Sequence, residues 1–85
     1  MYDVRLLDAA TSDLQSIDRV VAQRIARRIQ WLAENLESVR PIPLAGELSG
    51  LFKLRVGDYR VVYELLHAET AVVIHAIGHR RDIYR

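Results

Sequence analysis

Residues 51–63, which read LFKLRVGDYRVVY, constrain the fold of this chain more than any other stretch. Two runs rich in β-forming residues flank Gly57 and Asp58, a pair that permits the positive φ of a tight two-residue turn. The stretch therefore predicts a β-hairpin. Along its first arm the side chains alternate, with apolar residues on one face and Lys53 and Arg55 on the other. One face is expected to be core and the opposite face cationic.

The second arm returns a third cation to the same end of the hairpin. Arg60 follows shortly after the turn and should lie close to Lys53 and Arg55 if the two arms pair. Lys53 is the only lysine among the 12 Lys and Arg residues, and arginine is the side chain best suited to bidentate phosphate or carboxylate contacts. Three cations are therefore expected at one end of a sheet.

The residues before the hairpin predict one strand and two helices. Residues 2–7 alternate loosely, as in a strand, and Asp8 and Asp18 are expected to cap a short and a longer helix. The Pro-Ile-Pro segment 41–43 is expected to end the longer helix. That helix carries an apolar stripe that should pack on the sheet, formed by Val21, Ile25, Ile29, Leu32 and Leu36.

The other side of the longer helix is basic and carries the single tryptophan. Trp31 lies one turn from Arg27 and Arg28, and Arg24 lies one turn earlier. Such a tryptophan can sit at the edge of a core with arginine stems on it, or it can be an interaction hot spot. Both interpretations stay open at this point.

The residues after the turn complete the sheet. The second arm should run from Tyr59 to about Leu66, and residues 67–70 can turn the chain again. Residues 71–77 are nearly all apolar, which predicts a central strand covered on both faces. Residues 78–85 should follow it as a basic tail.

Length and composition limit the class of protein. The 85 residues have room for one domain, residues 1–85, and the elements predict an α+β fold with a small, mainly antiparallel sheet and a helical hairpin on one face. The absence of cysteine and of a zinc-like histidine spacing predicts no metal. Without a leader or an apolar run of about 20 residues, we expect a cytoplasmic protein with no membrane contact. A net charge of +1 is too weak to indicate nucleic acid by itself.

The candidate chemistry resides in two groups of side chains near the ends of neighbouring strands, because no nucleophilic triad, phosphate loop or carboxylate pair can be assembled. The first group is Lys53, Arg55 and Arg60, and the second is His79, Arg80, Arg81 and Tyr84. If both groups meet on the open face, they form a cationic concavity that suits a phosphodiester. Cations would stabilise a phosphorane while a titrating group moves the proton. The alternative is a solvated strand face with a basic tail.

Residues 50–63 and 77–84 resemble the signature of the RelE/ParE superfamily of toxins from prokaryotic toxin–antitoxin modules, and the RelE branch fits better. The resemblance covers the whole chain in element order. It implies a RelE-like, microbial ribonuclease-type fold in the toxin of a type II system, a ribosome-dependent endoribonuclease that cuts translated messenger RNA. The RNA's own 2′-hydroxyl would be the nucleophile, without metal or small-molecule cofactor. Growth arrest would follow from translation inhibition, and a cognate RelB-like antitoxin would neutralise the toxin.

The resemblance also implies roles for individual residues. Lys53, Arg60 and Arg80 would stabilise the phosphate and the transition state, and Tyr84 would transfer a proton or stack on a base. His79 stands where relatives carry lysine, and it could donate a proton or be structural. The supporting contacts to the RNA phosphates would come from Arg55, His79 and Arg81.

Two other functions remain open on the sequence. The ParE branch poisons DNA gyrase by protein contact, and the same fold serves both branches. Lys53, Arg60, Arg80 and Tyr84 favour the ribonuclease, whereas the weak overall basicity counts against a ribosome-binding enzyme. A non-catalytic RNA-binding regulatory module is the third reading, and it would bind RNA with steep salt dependence and no cleavage.

Overall fold

The computed structural model describes residues 1–82, which form a five-stranded sheet with two helices on one face. The strands are β1 (Asp3–Leu6), β2 (Ile42–Pro43), β3 (Phe52–Val56), β4 (Tyr59–Leu66) and β5 (Ala71–His79), and the helices are α1 (Asp8–Ser16) and α2 (Arg19–Glu34). The strand order is β1-β5-β4-β3-β2, with β1 parallel to β5 and the other pairs antiparallel. The predicted α+β class is confirmed. Neither α1 nor α2 combines the length and the apolar character needed to cross a membrane.

The main core lies between the helices and one face of the sheet. Ala10 of α1 and Ile25, Ile29 and Leu32 of α2 are buried there. The strands contribute Leu54, Val56, Val61, Tyr63, Val72, Ile74 and Ile77. Because strand side chains alternate, the intervening residues point away from the helices. We call that side the open face, and on β3 and β4 it carries Lys53, Arg55, Arg60, Val62 and Glu64.

The predicted hairpin is present with the expected turn. Val56 is opposite Tyr59, and Gly57 has a φ of +57°. A positive φ at the first turn residue alone is typical of a type II′ turn, for which glycine is the favoured residue. The hairpin therefore has the alternation expected from the sequence, with Leu54 and Val56 buried and Arg55 exposed.

The helix boundaries only partly match the prediction. The Asp18 carboxylate accepts a hydrogen bond from the Val20 amide at 3.2 Å, so the predicted cap of α2 is confirmed. The prediction that Asp8 caps α1 is wrong, because Leu7 occupies the N-cap and forms no side-chain cap bond. Asp8 instead lies in the first turn of α1, where a carboxylate still interacts favourably with the helix dipole.

Residues 41–43 do not end the longer helix. Helix α2 ends at Glu34, and the Asn35 side chain donates to the Trp31 carbonyl at 2.8 Å, which satisfies one terminal acceptor. Leu36 lies in the following 3₁₀ turn and packs on the core from there. Ile42–Pro43 forms the short edge strand β2, which the sequence did not predict.

Strand β5 lies inside the sheet but is irregular. It pairs with β1 on one side and β4 on the other, as a central strand should, and it continues to His79. Its register shifts at a bulge, where Val62 is opposite Ala76 and Tyr63 is opposite Ile74, so that His75 is an extra residue. The prediction that both faces of this strand are covered is confirmed for residues 71–74, which are all buried, but it is wrong for His75 and Ala76, which are partly exposed. The basic tail begins at Arg80 rather than at residue 78.

Candidate active site

The three cations of the hairpin lie together on the open face. Arg55 is directly opposite Arg60, and Lys53 is opposite Val62 one step further along β4. Arg55 is exposed, whereas Lys53 and Arg60 are half-buried. The predicted grouping at one end of the sheet is therefore present.

The guanidinium of Arg60 is turned toward its own hairpin turn. Its Nη1 donates to the carbonyl of Tyr59 at 3.2 Å and to that of Gly57 at 3.4 Å. These contacts restrict the side chain while leaving its other N–H donors available.

The segment after β5 returns to the hairpin turn. The Arg80 amide donates to the Asp58 carbonyl at 2.8 Å, and Gly78 is the strand partner of Arg60. Arg80 therefore starts beside the turn, at the same end of the sheet as Arg55 and Arg60, and its side chain is exposed. The neighbouring Arg81 is also exposed, and its amide donates to His79 Nδ1 at 3.3 Å.

His79 lies away from this cluster. It pairs with Tyr59, whose strand position faces the helices, and the two rings are edge to face with centroids 5.6 Å apart. Both rings line a hollow of about 470 Å³ together with Asp13, Ser16 and Ile17 at the end of α1. The structure thus places His79 on the helix side of the sheet and does not bring it together with Lys53 and Arg60. The candidate Tyr84 lies outside the described residues.

A histidine that the sequence analysis did not select lies on the open face instead. His75 Nε2 is 3.0 Å from Glu64 Oε1, and both side chains are partly buried. The sequence signal that could have indicated this position is a histidine within an apolar run. It lies between isoleucines at 74 and 77, and residues three apart in a regular strand point to opposite faces.

A second basic surface lies where α2 crosses the edge of β3. Strand β2 pairs only with Phe52 and Lys53, so the rest of β3 has a free edge toward α2. Arg28 Cζ lies 4.1 Å from the ring centroid of Trp31, which is 39% exposed. A hollow of about 470 Å³ at this edge is lined by Arg24, Arg27, Arg28, Trp31, Arg55, Val56 and Gly57. Trp31 is thus an exposed ring with an arginine stacked on it at the edge of the core.

One tyrosine and one arginine have shifted pKa values. Burial raises the pKa of Tyr63, whose side chain is in the core. The hydrogen bond to Glu69 raises the pKa of Arg5 on β1, where the Nη1–Oε1 distance is 2.8 Å. Both groups keep their ordinary charge at neutral pH, so neither supplies a titrating group for the site.

Comparison with known sequences assigns the family. Residues 4–84 match the sequence model described as the ParE toxin of the type II toxin–antitoxin system parDE. The chain belongs to this toxin family. The toxin RelG of Mycobacterium tuberculosis is 36% identical over 88 residues, which cover 99% of this chain and 97% of that protein. The resemblance to the RelE/ParE superfamily is thereby confirmed.

Solved structures of RelE toxins share the fold. The toxin–antitoxin complex RelBE2 of M. tuberculosis contains a chain with 32% identity and a TM-score of 0.83, and the match covers 95% of this chain and 93% of that one. The isolated Escherichia coli RelE toxin has 16% identity and a TM-score of 0.77, with 93% and 84% coverage. The second match shows the fold alone. The predicted RelE-like architecture is therefore confirmed.

Proposed function

We propose that this member of the toxin family is a ribosome-dependent endoribonuclease that cuts translated messenger RNA. The observation that carries the proposal is the direct pairing of Arg55 with Arg60 beside Lys53, with the Arg80 backbone bonded to the same turn. These cations would together bind a phosphate at the hairpin end of the open face. Its partners would be the ribosome, messenger RNA and a RelB-like antitoxin, since RelB-containing complexes occur among the structural relatives.

The chemistry follows from charge. Attack of a ribose 2′-oxygen on the adjacent phosphorus produces a pentacoordinate species with additional negative charge on its oxygens. Lys53, Arg60 and Arg80 would stabilise that charge, and each pre-organised donor of this kind contributes about 2.7–4 kcal/mol, or roughly 100- to 1,000-fold in rate. Tyr84 keeps its proposed role in proton transfer or base stacking, and Arg55 and Arg81 would bind flanking phosphates.

The proposal is tested with ribosomes that hold a short defined message. The purified 85-residue chain is expected to cut the message in the ribosome and to leave a 2′,3′-cyclic phosphate and a 5′-hydroxyl. The same message with one 2′-deoxy sugar at the cut should remain intact because the nucleophile is missing. Cleavage of the deoxy message at the same bond would contradict the mechanism.

A second candidate function is inhibition of DNA gyrase. It is favoured by the match to the ParE family model, since that branch acts by contact with gyrase. The Arg24, Arg27, Arg28 and Trp31 surface would be available for such a protein contact. Supercoiling by purified gyrase in the presence of the chain distinguishes the two, and we expect no inhibition.

A further inference from the structure

The pair formed by His75 and Glu64 lies on the same face as the cations of the candidate site. The His75 Nε2 and Glu64 Oε1 atoms are 3.0 Å apart, and the side chains are 31% and 38% exposed. Solvent and a ligand can therefore reach both groups. At this exposure an ion pair adds little stability, so stability alone does not account for it.

The β-bulge is what places His75 on the open face. Ile74 and Ile77 are both buried against the helices, although residues three apart in a regular strand point to opposite faces. One extra residue resolves the conflict, and that residue is His75. Alternation from Ile77 without the bulge would direct the imidazole into the core. Bulges often occur next to active sites, where they redirect a side chain.

The hydrogen bond to Glu64 fixes what the imidazole can do. With Nε2–H donating to the carboxylate, the second nitrogen, Nδ1, carries the free lone pair. Within residues 1–82, Nδ1 of His75 forms no hydrogen bond. A carboxylate that orients an imidazole and stabilises its protonated form is the arrangement of a general base.

The position of His75 relative to Lys53 suits a phosphodiester. Lys53 is opposite Val62, and Val62 is opposite Ala76, which adjoins His75. Two strand spacings separate the backbones of β3 and β5 by about 10 Å, and Lys53 and His75 lie on the same open face on either side of Val62. A phosphate held by the lysine would place its neighbouring ribose toward the imidazole.

We propose that His75, held by Glu64, accepts the proton of the attacking 2′-hydroxyl, an inference that rests on the proposed ribonuclease function. The proton passes from O2′ to Nδ1 while the O2′–P bond forms. The P–O5′ bond then breaks, and O5′ takes a proton from water. The imidazolium returns its proton to solvent, so the products are a 2′,3′-cyclic phosphate and a 5′-hydroxyl. Lys53 and Arg60 stabilise the charge on phosphorus throughout.

The first test measures single-turnover cleavage on programmed ribosomes between about pH 5 and 8, where imidazoles change charge. The His75→Gln variant is expected to lose roughly 100-fold or more in rate, as for other general bases. It should also lose the fall in rate on the acid side. His67→Gln is the matched control, because His67 contacts Tyr2 away from the open face, and it should behave as wild type.

The second test compares Glu64→Gln, which retains an oxygen acceptor for Nε2–H, with Glu64→Ala, which removes it. If Glu64 orients the imidazole, the single-turnover cleavage rate should fall more in Glu64→Ala than in Glu64→Gln, while both variants bind the programmed ribosome as tightly as the wild type. The other charged residues of the open face are the same in both variants: Lys53 and Arg55 on β3, Arg60 on β4, and Asp3 and Arg5 on β1. A purely structural pair would leave the cleavage rate of the bound message unchanged in both folded variants.

The outcomes distinguish failure of the proposed role of His75 from failure of the proposed ribonuclease function. If the wild type cuts the message and folded His75→Gln cuts it near the wild-type rate, the inference is overturned and the ribonuclease stands. Equal cleavage rates of the bound message in folded Glu64→Gln and Glu64→Ala overturn it as well, even if His75→Gln fails to fold. If the wild type leaves every translated message intact, the ribonuclease proposal itself is overturned.

Discussion

Arg55 and Arg60 lie directly opposite each other across the β3–β4 hairpin, where cross-strand pairs normally combine opposite charges. Arg60 donates to two carbonyls of its own turn, but no acidic side chain forms an ion pair with either guanidinium within residues 1–82. The sequence thus keeps a local conflict that costs stability. Conflicts of this kind are expected at functional sites.

The first prediction concerns the stability cost of that pair. Replacing Arg55 with Thr should raise the free energy of unfolding by about 0.2–1 kcal/mol, because the like-charge contact disappears. Urea denaturation measures the change. Lys53→Thr is the control. Because Lys53 is opposite the uncharged Val62, this variant gains only the higher strand propensity of threonine. Equal gains in the two variants would show that the arginines do not repel each other.

The second prediction concerns toxicity. Arg60→Ala and Arg80→Ala should each abolish growth arrest while the domain remains folded, because each removes a donor worth roughly 100- to 1,000-fold in rate. Growth after brief induction is the measurement, with circular dichroism as the check on folding. Arg19→Ala, an exposed arginine in the first turn of α2, should remain toxic. Full toxicity of a folded Arg60 or Arg80 variant would remove that residue from the site.

The third prediction concerns a hydrogen bond that replaces a missing strand. Strand β1 ends opposite Ile74, so the Ile77 amide has no partner there, and it donates instead to Asp13 Oδ2 at 2.9 Å. Asp13→Ala should lower the free energy of unfolding by about 1–3 kcal/mol by leaving that partly buried donor unpaired. Asp13→Asn retains an oxygen acceptor and should lose less. Equal losses in urea denaturation would contradict this account.

The fourth prediction concerns alkaline pH. Burial raises the pKa of Tyr63, so the folded state favours the neutral phenol. The contribution of this phenol to the free energy of unfolding is fully present below the unfolded tyrosine pKa of about 10. It is lost as pH rises through the higher pKa of the folded state. Stability should therefore fall more steeply above about pH 10 in the wild type than in Tyr63→Phe. Parallel unfolding curves would show that the phenol is not desolvated.

Local patterns predicted much of the fold. The hairpin follows from Gly57 and from two alternating arms, and the cap of α2 follows from one carboxylate two residues before an amide. Both depend on neighbours in sequence, so the chain itself carries the information. The pairing of Arg55 with Arg60 follows from the length of the turn once the hairpin is accepted.

Features that depend on distant contacts were not predicted. The bulge at His75 arises because β5 must keep Ile74 and Ile77 in one core. A nearly all-apolar run, expected to be covered on both faces, gives no sign of such a break in alternation. His79 was grouped with the hairpin cations because the strand was expected to end before it. The contact of Asp13 with Ile77 joins residues 64 positions apart, which no periodicity reveals.

The most direct test of the central claim maps new RNA ends in a bacterial host after brief expression of the chain. The account predicts cuts within translated messages that are absent when Arg80→Ala is expressed at the same level. Growth arrest with intact messages and gyrase-linked DNA breaks would contradict it, and would assign the chain the activity of the ParE branch.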